Sequence, residues 1–343
     1  MNSSFRHKSI LADTHYSITC LNDICATLQE EIDSNFPTFI SRCARKSGIV
    51  RGVLFWWLGR KYDLIVTAVY HPGWSIVLIL QAFLGRERKI VLLEFLIGRP
   101  TVFWRRIIYS LQLKIIIKPS LRRALKSAQV LTAWEQKHYA HQFGINIEQF
   151  YFIPFWLRES TDILPTYFGK NNFTVMSSGR AACDWETLFK AADGTNWQLI
   201  VVCRKRDYSI IKKFNKNYKA KIFCEISPEL HDQYLRSADV YVVALKEVYA
   251  STGQVRIKNA IRLGIPIVAT AVKGLEGYLF DKVNALLVPP EDHVGLRHAI
   301  EKLLANQDYR RSISQKAFEL AVDQTREGYR VKIRKFVEQS CEL

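Results

Sequence analysis

The sequence predicts an α/β protein made of two doubly wound parallel sheets in series. Three observations carry this. Short apolar runs alternate with helical patterns, the alternation restarts once along the chain, and 343 residues leave room for two ordinary domains. In the first half, residues 64–69 form a β-branched run after Tyr62 and Asp63, 75–84 read as a helix, and 89–94 as a second strand. Residues 129–132 give a third strand, 135–143 a helix stopped by Gly144, and 150–154 a fourth strand. Apolar runs of this kind, without polar alternation, are strands buried on both faces, as in a parallel sheet covered by helices. The segment 156–170, with Pro165 and Gly169, interrupts the pattern and is the expected boundary. The pattern then resumes with strands at 173–177, 198–202, 221–224, 240–243, 266–269 and 285–288. Helices are expected at 185–192, 228–237, 254–263, 294–305 and 309–321, and 326–339 is a basic amphipathic helix. The domains are therefore expected at 1–160 and 171–325, with 326–343 packing back toward the first. Two Rossmann-like domains in series imply parallel sheets facing a central cleft, where such folds bind ligands.

Composition narrows the class. Hydrophobic residues make up 48% and charged residues 24%, as in a folded protein rather than a disordered, collagenous or repetitive one. Lys and Arg outnumber Asp and Glu by 49 to 32, a net charge of +17, so anionic partners are favoured. The seven cysteines, Cys20, Cys25, Cys43, Cys183, Cys203, Cys224 and Cys341, are odd in number and include no CxxC pair. That argues against a zinc site or a disulfide framework and for reduced thiols in a cytoplasmic protein. The first ten residues are polar, without the apolar core of a signal peptide, and the longest apolar run, near 74–84, is too short to span a bilayer. The expectation is a cytoplasmic protein, soluble or peripheral at the inner membrane face.

One stretch is built to meet a diphosphate. After the strand at 240–243 come Ser251, Thr252, Gly253 and Gln254, then a helix to Leu263 closed by Gly264, with Pro266 opening the next strand. A helix start at the end of a parallel strand presents free N–H groups and a partial positive charge to an anion. Ser251 or Thr252 can cap the helix, and Gly253 lets a ligand approach the backbone. The same residues would also make an ordinary capped helix, so the wider pattern decides.

That pattern includes Ser178-Gly-Arg-Ala-Ala-Cys-Asp-Trp-Glu-Thr-Leu-Phe-Lys-Ala191, the segment 229–239 with its helix leading into Ser-Ala-Asp-Val, and Asn284-Ala-Leu-Leu-Val-Pro-Pro-Glu-Asp292. With the strand–cap–helix segment, these resemble the donor domain of family 4 glycosyltransferases of the GT-B fold, in order and roughly in spacing. The first half resembles the family more loosely, best over 126–155, where Ser-Ala-Gln-Val-Leu-Thr-Ala-Trp leads to Phe-Ile-Pro-Phe. The resemblance implies that Gly179 and Arg180 meet the donor diphosphate; a guanidinium can do so through two parallel hydrogen bonds. The family's nearby lysine is replaced by Cys183-Asp184, and Lys246 can supply the charge instead. Ser251 and Asn259 stand where the family carries two glutamates, so Asn259 offers the ribose a neutral amide in place of a carboxylate. The base is expected against the loops 203–206, which include Lys205, and 225–229.

In this fold the first domain holds the acceptor. Glu94, ending an apolar strand, stands about where many family members have a histidine that contacts the transferred sugar. His71, in Tyr70-His-Pro-Gly-Trp74, and His15, in Asp13-Thr-His-Tyr16, are the acceptor candidates. No acidic residue occurs in 95–134, while Arg99, Arg105, Arg106, Lys114, Lys118, Arg122, Arg123 and Lys126 do. Between them Trp104, Ile107, Ile108, Leu111 and Ile115 repeat at helical spacing. This is the pattern of a helix on an anionic membrane surface over 99–126, or of a core-facing helix with a basic back.

The sequence thus predicts a glycosyltransferase that moves a sugar from a nucleotide-diphosphate sugar to a hydroxyl acceptor, a cell-surface glycan or lipid-linked glycan. The resemblance implies retention of configuration and no metal, with Arg180, Lys246 and the helix start stabilising the leaving group and Glu94 near the sugar. The nucleotide sugar is a co-substrate; no cofactor and no nucleic-acid partner are expected, since no nucleic-acid motif is present. Two alternatives are a catalytically degenerate GT-B scaffold, given Ser251 and Asn259, and a nucleotide-sugar epimerase.

Overall fold

The computed structural model describes residues 9–13, 21, 23–97, 103–157, 173–215 and 220–342. The chain forms two compact units, Met1–Ile153 with Tyr329–Leu343, and Pro154–Gly328.

Unit 1 opens with β1 (Ile10–Ala12) and β2 (Ala26–Thr27), then three helices, α1 (Leu28–Asn35), α2 (Thr38–Lys46) and α3 (Gly48–Gly59). There follow β3 (Leu64–Ala68), α4 (Trp74–Leu84), β4 (Ile90–Leu93), α5 (Phe103–Gln112), α6 (Lys118–Ala124), β5 (Leu125–Val130), α7 (Ala133–Phe143) and β6 (Phe150–Phe152). The six strands are all parallel, in the order β2-β1-β3-β4-β5-β6. Every residue of β3 and β4 is buried, as expected of strands that are apolar but for Thr67. Helix α7 begins with a capping box between Thr132 and Glu135 and ends on Gly144 at φ 61°. Two positions bring α3 and α4 into close approach. A Cβ on Gly52 would lie 2.6 Å from Ile76 Cβ and 2.7 Å from the Gly73 carbonyl, and Gly73 itself has φ 95°. This tight crossing fixes the turn that carries His71.

Between α5 and α6 the chain continues as a π-helical turn, Leu113–Ile117. Pro119 explains it. Proline has no N–H to return to the carbonyl four residues back, and its ring crowds that turn, so the ladder widens just before it. The Ser120 hydroxyl donates to the Ile116 carbonyl, four residues back, at 2.7 Å.

Unit 2 contains β7 (Thr174–Ser178), α8 (Trp185–Ala192), β8 (Gln198–Cys203), α9 (Tyr208–Phe214), β9 (Lys221–Cys224), α10 (Pro228–Ser237) and β10 (Val240–Val243). These are followed by α11 (Gln254–Arg262), β11 (Ile267–Thr270), β12 (Leu286–Val288), α12 (His293–Ala305) and α13 (Gln307–Glu319). Its strands are also all parallel, ordered β12-β11-β10-β7-β8-β9. Helix caps come from Asp184, Ser227, Asp292 and Asn306, whose side chains accept from backbone N–H groups of the first turn. The last helix, α14 (Arg326–Glu342), places residues 329–342 in unit 1. There Ser340 Oγ lies 2.6 Å from Ser127 Oγ of β5, and Phe336 packs on Tyr151 of β6 with ring centroids 4.9 Å apart.

Each sheet runs outward in two directions from its first strand. In unit 2 the chain goes from β7 to β8 and β9, then crosses to β10 on the other side of β7. In unit 1 it goes from β1 to β2, then to β3. The carboxyl ends of β7 and β10, and of β1 and β3, are therefore the topological switch points, where open parallel sheets leave a crevice for ligands.

Candidate functional site

At the switch point of unit 2, β7 ends in Ser178 and passes into Gly179 and Arg180. Ala182 takes φ 52°, a tight bend for a residue with a side chain, and its carbonyl accepts from the Lys246 N–H at 2.8 Å. Cys183 and Leu245 form an isolated antiparallel bridge. These bonds stitch the loop after β7 to the loop after β10, and so bring Arg180 and Lys246, both exposed, onto one edge.

Helix α11 starts on the same edge. Its N-cap is Gly253, with φ 96° and no side-chain cap, so its first-turn N–H groups are left to whatever approaches. Ser251 is buried, Thr252 is half-buried, and the Gln254 amide donates to the Gly274 carbonyl at 2.6 Å. Gln254 thus anchors the neighbouring loop through its side chain, and what it can offer a ligand is its backbone N–H. Asn259 lies half-buried in the second turn of the helix.

Arg256 is the site residue that sequence reasoning missed. Its Nη1 donates to the Ser178 carbonyl at 2.7 Å and lies 3.4 Å from Cys183 Sγ, while Nη2 is 3.5 Å from the Ala181 carbonyl. The guanidinium therefore lies across the Gly179 loop. No acidic residue sits in the first turn of α11. A cation there opposes the helix dipole, which favours anions at its N-terminus. An arginine in that turn, against the dipole, was the available signal. The combination of Arg256, exposed Arg180, exposed Lys246 and free helix N–H groups is complementary to a polyanion such as a diphosphate.

Gly179 is required by this packing. A Cβ there would lie 2.3 Å from both Arg256 Nη1 and Cys183 Sγ. Gly179→Ala is expected to fold, because both obstacles are side-chain ends, but to push Arg256 aside. If the site binds a diphosphate, calorimetry with UDP and GDP should show affinity reduced by about tenfold or more, the loss of one charge-assisted contact.

Around this centre, β8 leads to Lys205 in a short 3₁₀ turn, where Arg204 pairs with Asp207 at 2.9 Å. Cys203 and Cys224 end adjacent strands with Sγ atoms 3.7 Å apart; burial, then the neighbouring Cys224, pushes the Cys203 thiol up to about 12. Glu225 follows at φ 51°. His231 Nε2 lies 2.9 Å from Ser178 Oγ, which lies 2.6 Å from the Tyr241 hydroxyl, a buried network beneath the Gly179 loop. Burial depresses the His231 pKa despite Asp232 nearby.

The switch point of unit 1 holds a second constellation. Asp13 follows β1, is 1% exposed, and accepts from Arg51 of α3 through both carboxylate oxygens, the longer bond being 3.1 Å. His71, in the turn after β3, places Nδ1 2.8 Å from Asp13 Oδ2. Burial raises the Asp13 pKa, but hydrogen bonds from His71 and Arg51, and their charges, outweigh it, so the carboxyl titrates below its usual range. If the neutral ring carries its proton on Nδ1, the bond to Asp13 fixes the tautomer and leaves Nε2 the acceptor. Glu94 ends β4 on the same edge, at φ 49°, with its N–H held by Gln129 Oε1 at 2.6 Å and one carboxylate oxygen buried. His15 and Arg99 lie outside the described residues. Among the described residues, no group of three His, Cys, Asp or Glu side chains is assembled that could hold a metal ion.

The family model described as Glycosyl transferases group 1 matches residues 183–306, which include the loop after β10 and all of α11. No curated protein matches the sequence. Among solved structures, a glycosyltransferase from Rickettsia africae is similar at TM-score 0.67 and 14% identity, over 96% of this chain and 98% of that one. HepE from Anabaena, solved in complex with UDP, gives 0.64 and 14%, over 96% and 99%. Sucrose-phosphate synthase from Thermosynechococcus elongatus gives 0.63 and 21%, over 84% and 77%. At these identities the likeness is one of fold. The chain therefore has the GT-B fold, and its residues 183–306 match the family model of glycosyl transferases group 1.

Proposed function

We propose that the protein transfers a sugar, with retention, from a nucleotide-diphosphate sugar to a hydroxyl on a glycan or lipid-linked glycan. The observation that carries this reading is the cationic edge at the β7/β10 switch point, where the Gly179–Arg180 loop is stitched to the start of α11 by Arg256. As the glycosidic bond to the diphosphate breaks, charge grows on the phosphate oxygens. Arg180, Arg256, Lys246 and the α11 N–H groups are the groups that stabilise it, by preorganised electrostatics rather than by acid–base work. No metal is needed for that neutralisation. Lys205 and the loop after β9 border the base; Asn259 accepts from the ribose.

Unit 1 takes the acceptor in this reading. His71, oriented by Asp13, and Glu94 are the polar groups at the edge where an acceptor hydroxyl would be held. The exposed face that carries Trp104, Arg106, Ile108, Leu111, Lys114 and Ile115 supports a location at an anionic membrane surface. Trp104, Ile108, Leu111 and Ile115 are all more than half exposed, so this stripe faces solvent rather than the core. Among the described residues, no helix is long and apolar enough to cross a membrane.

A thermal-shift panel of UDP, GDP, ADP and their sugars tests the donor assignment. One nucleotide should raise the melting temperature well above the others, and a flat panel would sink the reading. Sedimentation with anionic vesicles at low salt tests the membrane face, and absence of binding there would refute it.

A further inference from the structure

Two cavities in unit 1 share a wall, and their chemistry differs. The first, about 460 Å³, lies between α4 and the helix that runs from α5 through the π turn. Its lining is mostly apolar and includes Trp74, Ile79, Leu96, Leu113, Ile116 and Ile117. The second, about 350 Å³, is lined by Arg106, Lys114, Lys118 and Gln142. Tyr109 and Leu113 line both. Both volumes fall in the range of small-molecule sites. Among the described residues, Arg106, Lys114 and Lys118 form no ion pair, so three cations converge without an internal carboxylate to neutralise them.

The π turn is what opens the pair. Four of its five residues, Leu113, Lys114, Ile116 and Ile117, line one cavity or the other. A regular helix would rotate these side chains relative to α4, because the π turn adds a residue to the repeat. The apolar cavity also adjoins the acceptor edge. Trp74 donates its N–H to the His71 carbonyl at 3.3 Å, and Leu96 follows Glu94 by two positions.

We propose that this pair of cavities binds a single-chain lipid phosphate, with the hydrocarbon chain between α4 and the π turn and the phosphate among Arg106, Lys114 and Lys118. At about 460 Å³ the apolar cavity suits one short chain rather than the two of a bilayer phospholipid. Three cations beside it are complementary in sign to a phosphate monoester or diester. The proposal rests on the reading that unit 1 serves a lipid-linked acceptor, and it names the part of that acceptor the protein grips.

The test titrates the full chain with farnesyl phosphate, below its aggregation concentration, following tryptophan fluorescence. Farnesol and inorganic phosphate serve as the chain-only and head-only controls. Saturable one-to-one binding is expected, with each control weaker by about tenfold or more, since each lacks one of the two contacts. Ile116→Glu and the double variant Lys114→Glu with Lys118→Glu should each weaken binding to a similar extent. Ile116 and Lys114 are exposed and Lys118 is half-buried, and thermal unfolding of the variants verifies that they fold. No saturation, unchanged affinity in both variants, or equal affinity for a short-chain diacyl phospholipid would overturn the proposal. Nucleotide binding measured on the same samples separates the two readings. Lipid binding without any nucleotide binding would sink the transferase reading and leave the lipid site standing. Nucleotide binding without lipid binding would remove the lipid site alone.

Discussion

Replacing Arg180 by alanine is expected to weaken UDP or GDP binding by roughly 10- to 150-fold, the worth of a charge-assisted contact of about 1.5–3 kcal/mol. Arg180 is exposed, so its loss should leave the melting temperature of the free protein nearly unchanged. The fold has a reason to keep such a residue: the Gly179 loop is pinned by Arg256 and by the Lys246–Ala182 bond, so Arg180 projects from a rigid base. Arg256→Ala should also reduce affinity, but by a mixed route. It removes a charge and also releases the Ser178 and Ala181 carbonyls, so a change in stability is expected as well. Calorimetry on both variants checks this. Unchanged nucleotide affinity in Arg180→Ala would mean that the diphosphate lies elsewhere.

Asp13→Ala should produce the largest loss of stability. It removes the buried carboxylate that Arg51 and His71 share, leaving an 11% exposed guanidinium without its counter-ion. Breaking a buried pair this way costs roughly 3–5 kcal/mol, or about 6–20 °C in melting temperature for a unit of this size. Asp13→Asn keeps the shape and should cost less. The pH dependence has a definite sign. The folded-state pKa of Asp13 is depressed, so its stabilising contribution is complete above the unfolded value of about 4 and is lost as pH falls through the lower folded value. The wild type should therefore lose stability below about pH 4 more steeply than Asp13→Asn. Parallel denaturation profiles, or a matching slope in the variant, decide against this role.

Much of the fold was legible because parallel strands announce themselves as unbroken apolar runs. The strands at 90–93, 198–203 and 240–243 are buried almost throughout, as the strands of a helix-covered sheet are. The start of the chain was harder. Strands β1 and β2 have three and two residues, below the length at which periodicity gives a signal, and their place in the sheet comes from pairing with β3 and with each other. The amphipathic stripe at 104–115 was visible, but whether it faced the core or solvent depended on what packs against it. Trp104 at 72% exposure and Ile115 at 64% give the answer.

The site divides in the same way. Gly179, Arg180 and the helix start at Gly253 were readable as local motifs, because a glycine, a cation and a cap carry their chemistry with them. Arg256 and Asp13 were not. Arg256 looks in sequence like a helix-surface residue, and only the crossing of α11 over the β7 loop turns it onto the Ser178 carbonyl, 78 positions away. Asp13 lies 38 positions from Arg51 and 58 from His71, and a buried carboxylate has no sequence signature until its partners are in place. The sequence by itself determined the strand–helix alternation and the succession of glycine, cation and helix start in the second half, since both follow from local periodicity and residue chemistry. The tertiary structure decided which distant cations converge on Gly179 and which histidine Asp13 holds, because those depend on strand order, and strand order is set by long-range packing that no local pattern encodes.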